Sequence, residues 1–457
     1  MRVVSLQPCS AIGQGHPLQE LGIISVTEGA PELASGLVQT LRDAGATACL
    51  QDSAQAVNAA YVIMTEGLSE EPITERHWRV LETCRRLQHE GRKLILLERA
   101  QADELTHLSG LQGLSRTLSQ EWPGADIVTW SLEGRGDADF PGILQALSSG
   151  FGDVIFAGQH AYELKVSGAS LQSRCAQSDR NVWFVSGGGR GVTASCVSRL
   201  ARMQPDSVFL LAGRSPIVEW PQHLPVMTDI KSLRMALIQD AKARGLKPAL
   251  PDIDRQAKVL LASAEIRQTL NAIETAGAEA VYLRTDVSDA DGLKHAMQDA
   301  VAQYGPVTGL IHGAGVLADS LADKKTPEDV QRVFLPKVEG LLSILACLDI
   351  SRLRHVGLFS SAAAVFGNVG QSDYAMANAW LNAVARELSH QLSDAIVKSF
   401  CWGPWEGGMV DDTLAAHFAQ RGIQLISLED GARIFADQIL FGEPSETELV
   451  IGDEWTS

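Results

Sequence analysis

Short apolar runs alternate along this chain with longer stretches in which apolar residues return every three or four positions. The first pattern is that of a buried strand and the second that of an amphipathic helix. Runs at 21–26, 60–64, 93–97 and 126–130 predict strands, and periodic stretches at 31–44, 73–89 and 104–121 predict helices between them. Apolar strands joined through helices predict a parallel sheet covered on both faces. After a run at 162–166 comes a polar stretch, 167–180, and there the rhythm restarts. Strands are predicted at 182–185, 207–211, 280–285, 309–313, 356–360 and 396–401, with helices at 192–203, 264–276, 291–304, 327–348 and 374–392. A stretch containing Pro, Lys and Asp breaks the alternation between about 216 and 263, with a helical piece at 230–244, and reads as an insertion. The expected fold is α/β, divided into subdomains 1–177 and 178–457.

Composition narrows the function classes. The chain has 457 residues, 45% hydrophobic and 20% charged, enough to bury a large core. Its 38 Lys+Arg against 55 Asp+Glu give a net charge of −17, which argues against a nucleic-acid or anionic-membrane partner. No apolar run approaches the ~18–20 residues of a membrane span, and the first residues lack a secretory h-region, so a cytoplasmic location is expected. Seven scattered cysteines without a C-x-x-C pair imply neither a disulfide framework nor a metal site.

Chemistry enters with the second subdomain. Its first strand ends in Ser186-Gly187-Gly188-Gly189-Arg190-Gly191-Val192-Thr193 and runs into a helix. That layout turns backbone N–H groups and a helix N-terminus toward a pyrophosphate. Gly187 and Gly191 keep the spacing of a dinucleotide loop, and Thr193 stands where a third glycine is usual. At the end of the next strand, Gly213-Arg214-Ser215 offers a guanidinium to the ribose edge, which favours the 2′-phosphate of NADP over NAD. Asp286 and Val287 would flank the adenine, and Gly313-Ala314-Gly315 would line the cofactor beyond. No comparable loop precedes residue 167.

Ser361 closes one strand and Tyr374, thirteen residues later, opens the next helix, so both can converge on one carbonyl oxygen. Reduction of a ketone needs a hydride on carbon and a proton on oxygen. A phenol with a pKa of ~10 supplies that proton efficiently only beside a cation. Short-chain dehydrogenases usually carry that Lys four residues after the Tyr, where this chain has Asn378. Lys337 stands on the preceding long helix instead.

The exchange of Lys and Asn resembles the ketoreductase domains of type I polyketide synthases, with their Pro-Lys-Val-x-Gly (336–340), Ser-Ser (360–361) and Tyr-Ala-x-Ala-Asn (374–378) segments. The resemblance covers nearly the whole chain and is most like the ketoreductase of bacterial polyunsaturated fatty acid synthases. It implies two Rossmann-like halves: the first truncated and catalytically silent, its helix being Leu111-Gln-Gly-Leu-Ser-Arg116, and the second a complete short-chain dehydrogenase fold. It also implies Tyr374 as proton donor, Ser361 as second hydrogen bond to the carbonyl, Lys337 as the group tuning the phenol and Asn378 as a link in a water relay. NADPH would be held by the loop residues Gly187 to Val192, Arg214, Ser215, Asp286, Val287, Gly313, Ala314, Gly315 and Pro404. A lid is implied at 409–423, and Asp319, Phe366, Trp405 and Met409 would face the substrate. Leu317-Ala318-Asp319, with Phe366 rather than Trp eight residues before Tyr374, implies a D-3-hydroxyacyl product. The partners implied are an acyl carrier protein bearing a β-ketoacyl phosphopantetheine and the other domains of a parent synthase. An inactive structural domain, a free-standing NADPH ketone reductase and, more remotely, a methyltransferase are the competing readings.

Overall fold

A computed structural model describes residues 1–9, 16–52, 59–133, 139–157, 160–169, 180–247, 249–407, 419 and 423–452. The strands are β1 (Arg2–Pro8), β2 (Ile23–Thr27), β3 (Thr47–Gln51), β4 (Tyr61–Met64), β5 (Lys93–Arg99), β6 (Asp126–Leu132), β7 (Val154–Ala157) and β8 (His160–Gly168). They continue with β9 (Val182–Ser186), β10 (Val208–Gly213), β11 (Glu279–Arg284), β12 (Gly309–His312), β13 (His355–Ser361), β14 (Ile396–Trp402) and β15 (Glu448–Ile451). All belong to one sheet, ordered β11-β10-β9-β12-β13-β14-β15-β1-β8-β7-β6-β5-β4-β2-β3. The fold is Rossmann-like α/β, and the boundary proposed at 177/178 falls outside the described residues.

Each half has a strand whose two neighbours are reached by crossovers in opposite directions: β2, between β3 and β4, and β9, between β10 and β12. Such switch points open a crevice at the carboxyl ends of the strands. On the far side of β10 the second half adds β11, whereas β3 is the edge of the sheet in the first half.

The expected parallel pairing holds through most of the sheet and gives way at its centre. β1 runs antiparallel to both β15 and β8, and β8 antiparallel to β7. The N-terminal strand thus joins the halves, and with Val3 its one buried position and its last three residues exposed it escaped a search for apolar runs. The edge strand β3 and the four-residue β7 and β15 escaped for related reasons of polarity and brevity.

Three helices also differ. The helix expected at 104–121 is a turn, Leu105–His107, followed by Leu111–Glu121, broken at Gly110. A Cβ at Gly110 would lie 2.0 Å from the Met376 carbonyl oxygen, so the break lets the helix start press against Ser372–Gln391. The helix expected at 327–348 is interrupted by a wide turn of π type, Leu335–Glu339, which contains Pro336 and Lys337. Finally, Leu250–Thr275 is one helix running through the expected end of the insertion. With Ile230–Ala243 it encloses a small separate core of Leu233, Leu237, Ile253, Ala257 and Leu260. The main core instead spans both halves: Leu111, Leu114 and Leu118 share it with Met376, Trp380 and Leu381.

Candidate active site

A cavity of about 730 Å³ opens at the carboxyl ends of β9, β10, β12, β13 and β14, at the switch point of the second half. One end is lined by glycine. Gly187 has φ +68° and would carry a Cβ 3.0 Å from the Ala314 nitrogen, so only glycine keeps the approach between these loops open. Gly191, φ +66°, opens the helix Gly191–Met203. Thr193, at the third glycine position, is buried against Gly313, where a Cβ would come within 2.4 Å of the threonine Oγ1. The tight packing is preserved by exchanging which partner is glycine.

Gly187, Gly189, Arg190, Gly191 and Val192 all line the cavity, whereas Gly188 does not. A Cβ on Gly188 would meet Val185 Cγ1 at 2.4 Å, so this glycine serves the turn beneath. Arg214 and Ser215 line the same end, with the Arg214 side chain mostly exposed and 3.7 Å from Asp286 Oδ2. Burial opposes ionisation of Asp286, but hydrogen bonds from the Ser288 hydroxyl and amide, together with Arg214, hold its carboxyl below the ordinary value. Val287 is buried against Gly340, and Gly313, Ala314, Gly315 and Pro404 complete the wall. A glycine cradle, a helix N-terminus and two exposed guanidiniums suit a phosphorylated dinucleotide.

At the other end Ser361, Tyr374 and Lys337 face one space. Ser361 closes β13 and also accepts the Ala363 N–H at 3.2 Å, so it caps the short helix Ala362–Phe366 as well as lining the cavity. Burial raises the Tyr374 phenol above its ordinary value, while hydrogen bonds with the Asn378 and Ser361 side chains pull it down. Lys337 is buried, its Nζ donating to the Phe359 carbonyl at 2.8 Å and lying 5.5 Å from the Tyr374 ring centre. Burial lowers its pKa to about 7. Asn378 is fully buried just behind; its Nδ2 donates to the Tyr374 carbonyl at 2.8 Å and its Oδ1 has no protein partner.

Two further contacts support this group; the first is His312, whose place at a strand end among glycines suits a packing or backbone-bonding residue. The His312 ring joins Ser186 Oγ to Nδ1 at 2.8 Å and donates from Nε2 to the Lys337 carbonyl at 2.9 Å. Burial and the Lys337 charge hold its pKa down at about 3, so it is neutral and acts as a fixed strut. Lys337 lies within the π turn Leu335–Glu339, where the backbone departs from the regular i to i−4 ladder. The second support is a buried ion pair, Lys325 to Asp373 at 2.7 Å, beside the Tyr374 amide that Asp373 accepts at 2.8 Å. Lys325 and Asp373 are far apart in the chain with no shared motif, so no local signal links them.

Asp319 and Trp405 line the cavity, but Phe366 lies elsewhere, on a smaller cavity between the halves with Arg2 5.8 Å from its ring centre. Trp405 is also a core residue: it packs edge-on to Trp402 at 4.7 Å and against Gly431. Met409 and most of the expected lid at 409–423, namely 409–418 and 420–422, lie outside the described residues.

Comparison with known proteins agrees with this geometry. Residues 182–407 match the KR domain family. Over 370 residues, 77% of its length, the chain is 34% identical to a polyunsaturated fatty acid synthase polypeptide of Thraustochytrium sp., of which it spans 13%. Over 272 residues, 58% of its length, it is 28% identical to Polyketide synthase PksL of Bacillus subtilis, of which it spans 5%. A ketoreductase domain from the bacillaene assembly line shares the fold at TM-score 0.68 and 20% identity, covering 99% of this chain and 96% of that one. A-type ketoreductases from a modular polyketide synthase do so at TM-score 0.70 and 18% identity, covering 99% and 92%.

Proposed function

Since residues 182–407 belong to the KR domain family and the chain is a ketoreductase domain of the type I polyketide synthase kind, we propose that it reduces a β-ketoacyl thioester with NADPH. The observation that carries this reading is the meeting of Ser361, Tyr374 and Lys337 at one end of a cavity whose other end is the glycine-lined switch point. When bound, NADPH supplies the hydride. Gly187, Gly189, Arg190, Gly191 and Val192 would hold its pyrophosphate, Arg214 its 2′-phosphate, Asp286 and Val287 its adenine, and the Gly313–Gly315 backbone and Pro404 the region toward the nicotinamide.

The chain's own residues handle the carbonyl oxygen. Tyr374 and Ser361 hydrogen-bond that oxygen, and the Tyr374 hydroxyl gives up its proton as negative charge develops there. Lys337, as an ammonium, stabilises the phenolate left behind. Asn378 Oδ1, buried and unpartnered, accepts from a water through which Tyr374 regains its proton. An intact set of four is the reason to prefer an active enzyme to a silent scaffold; the silent, truncated part is the first half.

The substrate is borne by an acyl carrier protein and the chain works beside the other domains of a synthase. With a net charge of −17 its overall field repels an acidic carrier, so the encounter depends on a local basic patch or on tethering. Leu317-Ala318-Asp319, beside the cavity, favours the D-3-hydroxyacyl product. The test is incubation with NADPH and a short β-ketoacyl-N-acetylcysteamine thioester. Loss of nicotinamide absorbance and a D product by chiral chromatography are expected; no oxidation of NADPH by the unaltered chain would overturn the enzyme reading, and an L product the stereochemical one.

A further inference from the structure

Among the described residues none lining the cavity precedes Gly187, so the described part of the first half contributes no surface to the site. It nevertheless reaches the two loops that wall the cavity at the Tyr374 end. One wall is 316–319, of which Val316, Leu317 and Asp319 line the space; the other contains Asn368 and Gln371. The walls touch through the Ser320 N–H donating to the Gly370 carbonyl at 3.0 Å and Gln371 Nε2 donating to Asp319 Oδ2 at 3.1 Å.

Glu121, the last residue of the first-half helix Leu111–Glu121, sits between the continuations of both walls. Its Oε2 accepts the Ala322 N–H at 2.6 Å and its Oε1 accepts the Gly370 N–H at 2.8 Å. We propose that Glu121 is a positioning residue that sets the separation of the two substrate-side walls and so determines how an acyl thioester is seated; this rests on the reductase reading above.

The residue type matters. Both partners are N–H donors, so the site needs two acceptor oxygens on one planar group, which only a carboxylate supplies. A glutamine would keep one bond and turn an NH₂ toward the other donor. Widening or sliding of one wall must stretch one of these charge-assisted bonds, each stronger than a neutral one. The same half braces the loops nearby. Arg85 donates to the carbonyls of Ala322 and Lys325, Thr117 Oγ1 accepts the Asn368 N–H at 3.2 Å, and Gln120 Nε2 donates to the Phe366 carbonyl at 2.6 Å. Glu121 alone among these bridges both walls with one side chain, and it touches neither the nicotinamide end nor Tyr374.

The experiment compares Glu121→Asp, Glu121→Gln and Glu121→Ala with the unaltered chain. Expected is a rise in KM for a β-ketoacyl-N-acetylcysteamine thioester, on the order of tenfold in Glu121→Gln and larger in Glu121→Ala, with Glu121→Asp between them and the unaltered chain. The minor product enantiomer should increase in the same order, while kcat and the Kd for NADPH stay within about threefold. Hydrogen exchange at the Ala322 and Gly370 amides should quicken in parallel. Unchanged KM and stereochemical purity with quickened exchange would reduce Glu121 to a structural tie and overturn the proposal, as would unchanged exchange. If the unaltered chain oxidises no NADPH, the reductase reading fails by itself, and the exchange measurement still decides whether Glu121 holds the two walls.

Discussion

The two switch points of this sheet share a layout and differ in what fills them. In the first half, Thr27 at the end of β2 donates its hydroxyl proton to Glu66 Oε2 at 2.7 Å and accepts the Thr65 N–H at 2.9 Å. Thr65 Oγ1 in turn takes the Ala30 N–H at 2.9 Å, just before the helix Pro31–Asp43. The Ala30 and Thr65 N–H groups are thus taken by threonine hydroxyls, and a Cβ on Gly29 would meet the Glu66 backbone at 2.4 Å. Burial raises the Glu66 carboxyl pKa, and an acid there is the wrong group beside a phosphate. In the second half the side chains of Ser186 and His312 bond to each other below the loops, and glycines remain above. A Rossmann crevice is therefore made receptive less by its topology than by the side chains that end the two strands flanking the switch.

The largest test of this contrast pairs two isosteric changes. Tyr374→Phe removes the proposed proton donor and leaves the ring, so turnover should fall by roughly 10²–10⁴ with NADPH binding kept. Glu66→Gln, at the other switch point, should leave turnover within about twofold; steady-state rates and NADPH fluorescence titration check both. Near-native turnover in Tyr374→Phe would erase the difference between the halves.

Arg214→Ala comes next. Loss of a hydrogen bond to a charged group, worth roughly 1.5–3 kcal/mol, should reduce the preference for NADPH over NADH by about 10- to 100-fold. The ratio of kcat/KM for the two cofactors measures it, and an unchanged ratio would remove Arg214 from the 2′-phosphate site.

The pH profile gives a smaller effect. Burial lowers Lys337 to about 7, so it is charged below that pH and neutral above it. Because reduction uses the ammonium, kcat/KM should be level below about pH 7 and fall by up to tenfold per unit above it. Lys337→Met should be slow at every pH and lack that limb; a limb that persists belongs to another group.

Smallest is the effect of filling the closed crevice. Gly29→Ala should cost about 1–3 kcal/mol of stability through overpacking, read in denaturant, without changing KM for NADPH. A change in KM would mean that the first half communicates with the cofactor end.

By itself the sequence determined the α/β class, the restart of the pattern near residue 180, the glycine loop and the spacing of Ser361, Tyr374 and Asn378, because each is written in local periodicity or a local motif. Lys337 could be located on the preceding long helix, but its role was legible only through a family resemblance, since nothing near it in the chain marks it as different from a solvated lysine. Tertiary structure alone decided the rest: that β1 joins the halves, that His312 meets the Lys337 carbonyl within a π turn, that Thr193 trades places with Gly313, and that Glu121 reaches loops 201 and 249 positions away. Backbone hydrogen-bond donors and acceptors carry no side-chain identity, and the sequence therefore cannot show which of them a distant carboxylate or imidazole will find once the sheet has brought the loops together.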